Sequence, residues 1–149
     1  MSAHVRRVRW FAAPAALVLL LAGVAACSSE NPVNPSDFGI ESTDIVVGNG
    51  TQAQQGRGAT VHYTLWLYDA SKPEGKGAQI QTSVGGQPFS FVLGYGQVIA
   101  GWDIGVECMR TGGTRRLVVP PEYAYGTGGS GQIPGNATLV FDIQLIGVY

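Results

Sequence analysis

Apolar and polar residues alternate along much of the chain, and a period of two predicts strands with one buried face. The longest such stretches are residues 59–68 and 138–148, and shorter ones occupy residues 44–50, 88–93 and 115–120. The two long stretches each place four apolar residues on one face: Val61, Tyr63, Leu65 and Leu67 in the first, and Leu139, Phe141, Ile143 and Leu145 in the second. The pattern therefore predicts an antiparallel sheet of four to five strands.

One stretch has helical spacing instead. Ile99, Trp102, Val106 and Met109 recur at i, i+3, i+7 and i+10, which is one stripe on a helix. The glycine pair at 112–113 is expected to end this helix. The predicted class is therefore α+β, with one short helix packed on the apolar face of the sheet.

The tryptophan of this helix has two interpretations. As a core residue, it fills the space between helix and sheet. The second interpretation is a pocket for a small ligand or peptide. The neighbouring aromatic residues favour it, because six aromatic residues on or near one face exceed what a core of this size needs. These residues are Tyr63, Phe89, Phe91, Trp102, Tyr125 and Phe141.

The N-terminal residues 1–26 have the build of a secretory signal peptide: a basic start, an apolar run and then small residues. They end at Cys27, and the sequence VAAC resembles the lipobox of bacterial lipoproteins, in which the cysteine receives a diacylglycerol and becomes the mature N-terminus. Residues 27–40 are then the lipidated cysteine and a flexible tether rich in Ser, Asn and Pro, followed by one domain over residues 41–149. The alternative is an ordinary cleaved signal peptide with an incidental cysteine.

This N-terminus predicts an exported protein at the cell membrane or envelope surface. It would be held only by its acyl chains, palmitate among them, because several chains anchor a protein stably where one does not. Lipidation of Cys27 would also exclude an intramolecular disulfide, because the sequence contains only two cysteines.

Charge and metal-ligating residues narrow the function further. Three of the nine basic residues precede Cys27, so the rest of the chain carries six basic and ten acidic residues. This negative balance argues against a nucleic-acid partner. His4 and His62 are the two histidines of the sequence and provide no zinc set with two cysteines. We expect a monomer without metal or cofactor.

Four segments carry a resemblance to a known family. In order along the chain they are VHYTLWLYDA, QPFSFVLGYGQVIAGWDIGV, MRTGGTRRLVVPPEYAYG and IPGNATLVFDIQLIGV. Together they resemble the FKBP-type peptidyl-prolyl cis-trans isomerase domain over residues 41–149. The resemblance implies a twisted antiparallel sheet wrapped around one short helix. It also implies an isomerase of X-Pro peptide bonds, with proline-containing polypeptides and macrolides such as tacrolimus or rapamycin as partners.

The resemblance also implies the residues of the site. The substrate-binding positions are Tyr63, Phe89, Val98, Ile99, Trp102, Tyr125, Ile133 and Phe141. Trp102 is expected to be the platform under the proline ring, and the Tyr125 hydroxyl the donor to a ligand carbonyl. The residues expected to act in catalysis are Tyr63, Gln81, Phe89, Trp102, Tyr125 and Phe141.

Gln81 departs from the family pattern, in which an aspartate stands at this place in the pocket. Loss of one charge-assisted hydrogen bond costs about 1.5–3 kcal/mol, which is roughly ten- to a hundredfold in rate. Alternatively, the alignment shifts here and Gln81 is loop surface.

Three functions follow from these expectations. The first is an isomerase that assists the folding of exported or envelope proteins. The second is a binding module for proline peptides and macrolides, with weak activity because of Gln81. The third is a structural envelope protein that retains only the fold.

Overall fold

The computed structural model describes residues 34–149. The predicted signal peptide, Cys27 and the tether as far as residue 33 lie outside this range. The elements are β1 (Glu41–Val46), β2 (Gly58–Tyr68), β3 (Lys76–Thr82), β4 (Phe89–Val92), α1 (Ala100–Gly105), β5 (Thr114–Val119) and β6 (Leu139–Val148), with 3-10 turns at Pro35–Phe38, Pro73–Gly75 and Pro121–Tyr123. Within the described range, no helix has the length and apolar character needed to cross a membrane.

The sheet is antiparallel throughout, in the order β1-β5-β6-β2-β3. The second edge of the long strand β2 is shared: β4 pairs with its first residues and β3 with its last. The predicted α+β class is confirmed, but the sheet has six strands rather than four to five. The additional strand is β3, whose hydrophilic sequence KGAQIQT lacks a continuous apolar face.

The alternation predicted for β6 is confirmed. Its four inward residues are almost completely buried, at 3% exposure or less: Leu139, Phe141, Ile143 and Leu145. In β2, Val61 and Leu65 are buried in the same core, while Tyr63 and Leu67 pack against it half-buried. The two central strands therefore supply one continuous apolar face, and α1 lies against it.

Helix α1 is shorter than its apolar stripe predicted. It ends at Gly105, with Val106 as its cap. It cannot continue to Met109, because Cys108 has a φ of 67° that an α-helix does not accommodate. The Cys108 N–H donates to the carbonyl of Ala53 (3.0 Å), and the Ala53 N–H donates to the carbonyl of Met109 (2.8 Å). Met109 thus reaches the core from a strand-like segment rather than from the helix.

Glycine explains how so short a helix packs closely on the sheet. Gly101 and Gly105 lie four residues apart on the helix face that meets β5, where a Cβ atom would collide with Val119 and Leu117 respectively. The missing side chains let the helix backbone approach the strand. Trp102, next to Gly101, is thereby brought against the sheet.

The folded domain begins before residue 41, where the sequence predicted its boundary. The turn Pro35–Phe38 is capped by Asn34, and the Phe38 ring meets the Tyr123 ring edge-on at 5.6 Å. Ile40 is fully buried in the core. The last residues of the predicted tether are therefore part of the domain.

Candidate binding site

A cavity of about 230 Å³ lies between α1 and the apolar face of the sheet. Strands β2, β3, β4 and β6, the segment before α1 and the loop after Pro121–Tyr123 each contribute to its wall. It brings together eight of the residues predicted for the site: Tyr63, Gln81, Phe89, Val98, Ile99, Trp102, Tyr125 and Phe141.

Trp102 is the centre of the cavity's aromatic cluster and is 4% exposed. The rings of Tyr63, Phe89 and Phe141 lie 5.0, 6.1 and 5.5 Å from the indole centroid, and their planes stand at 78–81° to it. Edge-to-face contacts of this kind stabilise aromatic pairs beyond the area they bury. The indole is therefore a rigid base between three nearly perpendicular rings.

The polar groups of the cavity are neutral. Burial, and to a smaller extent the neighbouring Tyr125, raises the pKa of Tyr63 above its ordinary value of 10.0, so its hydroxyl keeps its proton. None of the residues lining this cavity carries a charged side chain. An uncharged, half-enclosed aromatic site suits an apolar group with one or two hydrogen-bonding atoms.

Gln81 belongs to this wall rather than to a surface loop. It lies in β3 and pairs with Leu65 of β2, which also lines the cavity. Within the described residues, neither Gln81 nor Tyr125 makes a side-chain hydrogen bond to another residue. Both polar tips are therefore available to a ligand.

Ile133 lies outside the cavity lining, although it was predicted as a substrate-binding residue. Its backbone exchanges hydrogen bonds with Ser130 (2.9 and 2.8 Å), and the turn so formed places its side chain in the core at 7% exposure. Two lining residues were missed, Leu65 and Gln97. The alternation of β2 pointed to Leu65, whereas no sequence signal marked Gln97, whose Oε1 accepts the N–H of Val92 (2.9 Å).

The opposite face of the same strands carries a charge cluster. Arg116 donates two hydrogen bonds to Asp142 (2.7 and 3.0 Å), and Lys76 donates a third (2.7 Å). Glu74 pairs with both cations, and Lys76 lies 4.5 Å from the Trp66 ring centroid. Burial alone would raise the pKa of Asp142, but the hydrogen bonds from Arg116 and Lys76 outweigh it and lower that pKa.

Metal chemistry has no candidate site in the part of the chain that the structure describes. Residues 34–149 contain no group of three or more His, Cys, Asp or Glu side chains placed to hold an ion.

The fold and the cavity define a small antiparallel α+β domain with an aromatic cavity beneath its helix. The sequence profile of the FKBP-type peptidyl-prolyl cis-trans isomerase family matches residues 49–146. The chain belongs to this family.

Individual proteins that resemble this chain support the same family assignment. FK506-binding protein 1 of Gibberella zeae is 46% identical over 110 residues, which cover 72% of this chain and 96% of the relative. The FK506-binding protein of Neisseria meningitidis serogroup B is 42% identical over 112 residues, covering 74% and 97%. Among solved structures, AtFKBP13 is 38% identical with a TM-score of 0.65, covering 79% of this chain and 98% of that one.

Proposed function

We propose that this protein catalyses cis-trans isomerisation of the peptide bond before proline in exported or envelope polypeptides. The neutral aromatic cavity centred on Trp102 is the observation that carries the proposal. Family membership supports it, because the matching profile is that of peptidyl-prolyl cis-trans isomerases.

The chemistry requires no nucleophile or metal. Rotation about the X-Pro bond breaks amide resonance and crosses a barrier of about 18–20 kcal/mol, so the uncatalysed exchange takes tens to hundreds of seconds. The planar amide is polar and well solvated, whereas the twisted amide is less polar and loses less on leaving water. A dry aromatic cavity therefore binds the twisted state more favourably than the planar one, which lowers the barrier.

The residues of the cavity have separable roles in this proposal. The proline ring rests on the Trp102 indole between Tyr63, Phe89 and Phe141. The Tyr125 hydroxyl, which makes no side-chain hydrogen bond in the described structure, donates to the carbonyl beside the turning bond. Val98 and Ile99 close the side of the cavity towards α1.

Exchange spectroscopy tests this function directly. The full-length chain in mild detergent should accelerate cis-trans exchange of a short X-Pro peptide measured by NMR, and tacrolimus or rapamycin should compete. Phe89→Ala should slow exchange at least about tenfold without unfolding, because Phe89 is 40% exposed and contributes wall rather than core. Tyr68→Ala is the matched control, since Tyr68 is 46% exposed and lies outside the cavity. A folded wild-type protein that leaves the exchange rate at its buffer value would exclude the isomerase.

A binding module is the second candidate, and the position of Gln81 favours it. An amide in the wall accepts a hydrogen bond without the negative charge that the family's aspartate supplies, so it orients a partner hydroxyl less strongly. This candidate predicts micromolar or tighter capture of tacrolimus with little acceleration of exchange. The fluorescence of Trp102 during macrolide titration measures the affinity for the macrolide, and NMR measures the acceleration of exchange.

We also propose that Cys27 is lipidated after export and that acyl chains hold the domain at the cell membrane or envelope surface. The VAAC motif and the preceding apolar run support this proposal. A thioether on Cys27 and a disulfide between the two cysteines of one chain exclude each other, because both need the same sulfur.

Two measurements on the protein from a native membrane fraction decide the matter. The intact mass should show the diacylglycerol, and it should keep that addition after reduction. Cys27→Ala should leave the protein uncleaved or release it from the membrane, while Cys108→Ala should leave its location unchanged. An unacylated chain whose two cysteines are joined to each other would contradict the anchor.

A further inference from the structure

Tyr95 is an aromatic residue that neither the core nor the cavity uses. Its side chain is 71% exposed, more than any other aromatic side chain in the described part of the chain. It lies on the short loop that joins β4 to the cavity wall, two residues before Gln97 and three before Val98, both of which line the cavity. Scattered exposed aromatics are normal on protein surfaces, so exposure alone assigns nothing.

The backbone on both sides of Tyr95 is fixed. The N–H of Gly94 donates to one carboxylate oxygen of Asp103 (2.8 Å), and the N–H of Gly96 donates to the other (3.1 Å). Both glycines have positive φ, 80° and 64°, which glycine adopts without strain. Asp103 follows Trp102 directly in α1.

One carboxylate therefore ties the loop of Tyr95 to the helix that carries the base of the cavity. The wall beyond the loop is fixed as well, since Gln97 accepts the N–H of Val92. The backbone of Tyr95 is thus held in place two residues before the cavity wall. A rigid tyrosine offers a large contact area at a small cost in side-chain entropy.

We propose that Tyr95 is a specificity-determining contact for the polypeptide whose proline occupies the cavity. Its ring packs against a large apolar side chain two or three residues away from that proline. An extended chain advances about 3.3–3.6 Å per residue, so a residue two or three positions from the proline reaches about 7–11 Å beyond it. The preferred substrate is thus an extended, apolar segment around proline, as in an unfolded chain. This inference rests on the proposed isomerase function.

A peptide series on the full-length protein tests the contact. One peptide is a tetrapeptide with X-Pro at its centre. Two ten-residue peptides carry Phe three positions before or three positions after the proline, and a third carries Ala at both places. Exchange is measured by NMR, and affinity by titration calorimetry.

Wild type should favour one Phe peptide over the Ala peptide by about fivefold in kcat/KM and in affinity, equivalent to about 1 kcal/mol. Tyr95→Ala should abolish this preference and leave the tetrapeptide rate unchanged, while Tyr95→Phe should retain it. Tyr68→Ala, which removes an exposed tyrosine from the far end of β2, should behave as wild type.

Two outcomes overturn the inference: no preference in wild type, or a preference that survives Tyr95→Ala. Failure of the proposed function looks different, because wild type would then leave the tetrapeptide exchange rate at its buffer value. The affinities would still decide whether Tyr95 contacts the flanking residue.

Discussion

Phe141 and Asp142 are neighbours in β6, yet they lie on faces of the sheet with opposite chemistry. Phe141 stands beside the Trp102 indole in a cavity without charged side chains. Asp142 accepts three hydrogen bonds from Arg116 and Lys76, so its charge is fully engaged within the chain. Charge density therefore does not mark the site of this protein. The neutral face keeps polar groups free for a ligand, whereas the charged face satisfies its own.

Each face carries a tryptophan, and replacing these two residues should change stability and macrolide binding by very different amounts. Trp102→Ala should lower the free energy of unfolding by about 3–5 kcal/mol, because it empties the centre of the aromatic cluster, and it should abolish macrolide binding. Trp66→Ala, on the charged face, should cost about 1–2 kcal/mol through lost packing and the lost contact with Lys76. Urea unfolding and macrolide titration measure both. Loss of macrolide binding in a folded Trp66→Ala protein would show that the faces are coupled.

The second effect concerns the charge cluster. Arg116→Gln should lower the free energy of unfolding by about 1–3 kcal/mol, because it leaves Asp142 with one cation, and exchange activity should remain. Arg110→Gln is the control, since Arg110 is exposed and its side chain donates to the Gly50 carbonyl rather than to a carboxylate.

The pH dependence of stability in acid provides a second test of the charge cluster. The folded-state pKa of Asp142 lies below its ordinary value of 3.8, so its ion pairs stabilise the fold above that pH. The stabilisation is lost as pH falls through the folded-state pKa. Stability should therefore fall less steeply in acid for Arg116→Gln than for wild type. Equal slopes in the two proteins would contradict the assigned pairing.

The third effect concerns Gln81. Gln81→Asp should raise turnover or macrolide affinity, about tenfold for each 1.4 kcal/mol recovered. Gln79→Asp makes the same exchange two residues away in β3, opposite Trp66 and outside the cavity lining, and should change neither. Tyr125→Phe should cost more in the Gln81→Asp background than in the wild type, because donor and acceptor then act as a pair. Equal costs in both backgrounds would show that the two side chains are not coupled.

The smallest expected effect is the response of exchange to pH. The cavity holds no group that titrates between about pH 5 and 9, so kcat/KM should vary by no more than about twofold across this range. In alkaline solution Tyr63 keeps its proton beyond the ordinary range of a tyrosine, because burial raises its pKa. A bell-shaped profile centred near neutrality would indicate a titrating group that the cavity does not contain.

Sequence periodicity predicted those parts of the fold in which one face is continuously apolar. It identified the inward residues of β6 and most of the aromatic wall. It missed β3, because an edge strand whose side chains are mostly exposed or half-buried needs no alternation. It also extended α1 as far as Met109, since a buried residue at helical spacing can reach the core from a strand-like segment.

The site was predictable to the extent that the family's motifs fix residue order. Eight predicted residues line one cavity, but motif order could not show that the turn at Ser130 directs Ile133 into the core. Gln97 was missed for a related reason: its place in the wall depends on a hydrogen bond to Val92, a contact that no spacing encodes.

The close approach of α1 to β5 also sets how deep the cavity is. Two hydrogen atoms, those that replace side chains at Gly101 and Gly105, fix the thickness of the layer between helix and strand. A larger group at either position would push the helix outward and move the Trp102 indole, although no lining residue would be substituted. The size of ligand that the cavity accepts therefore depends on two positions, Gly101 and Gly105, that lie outside the cavity lining.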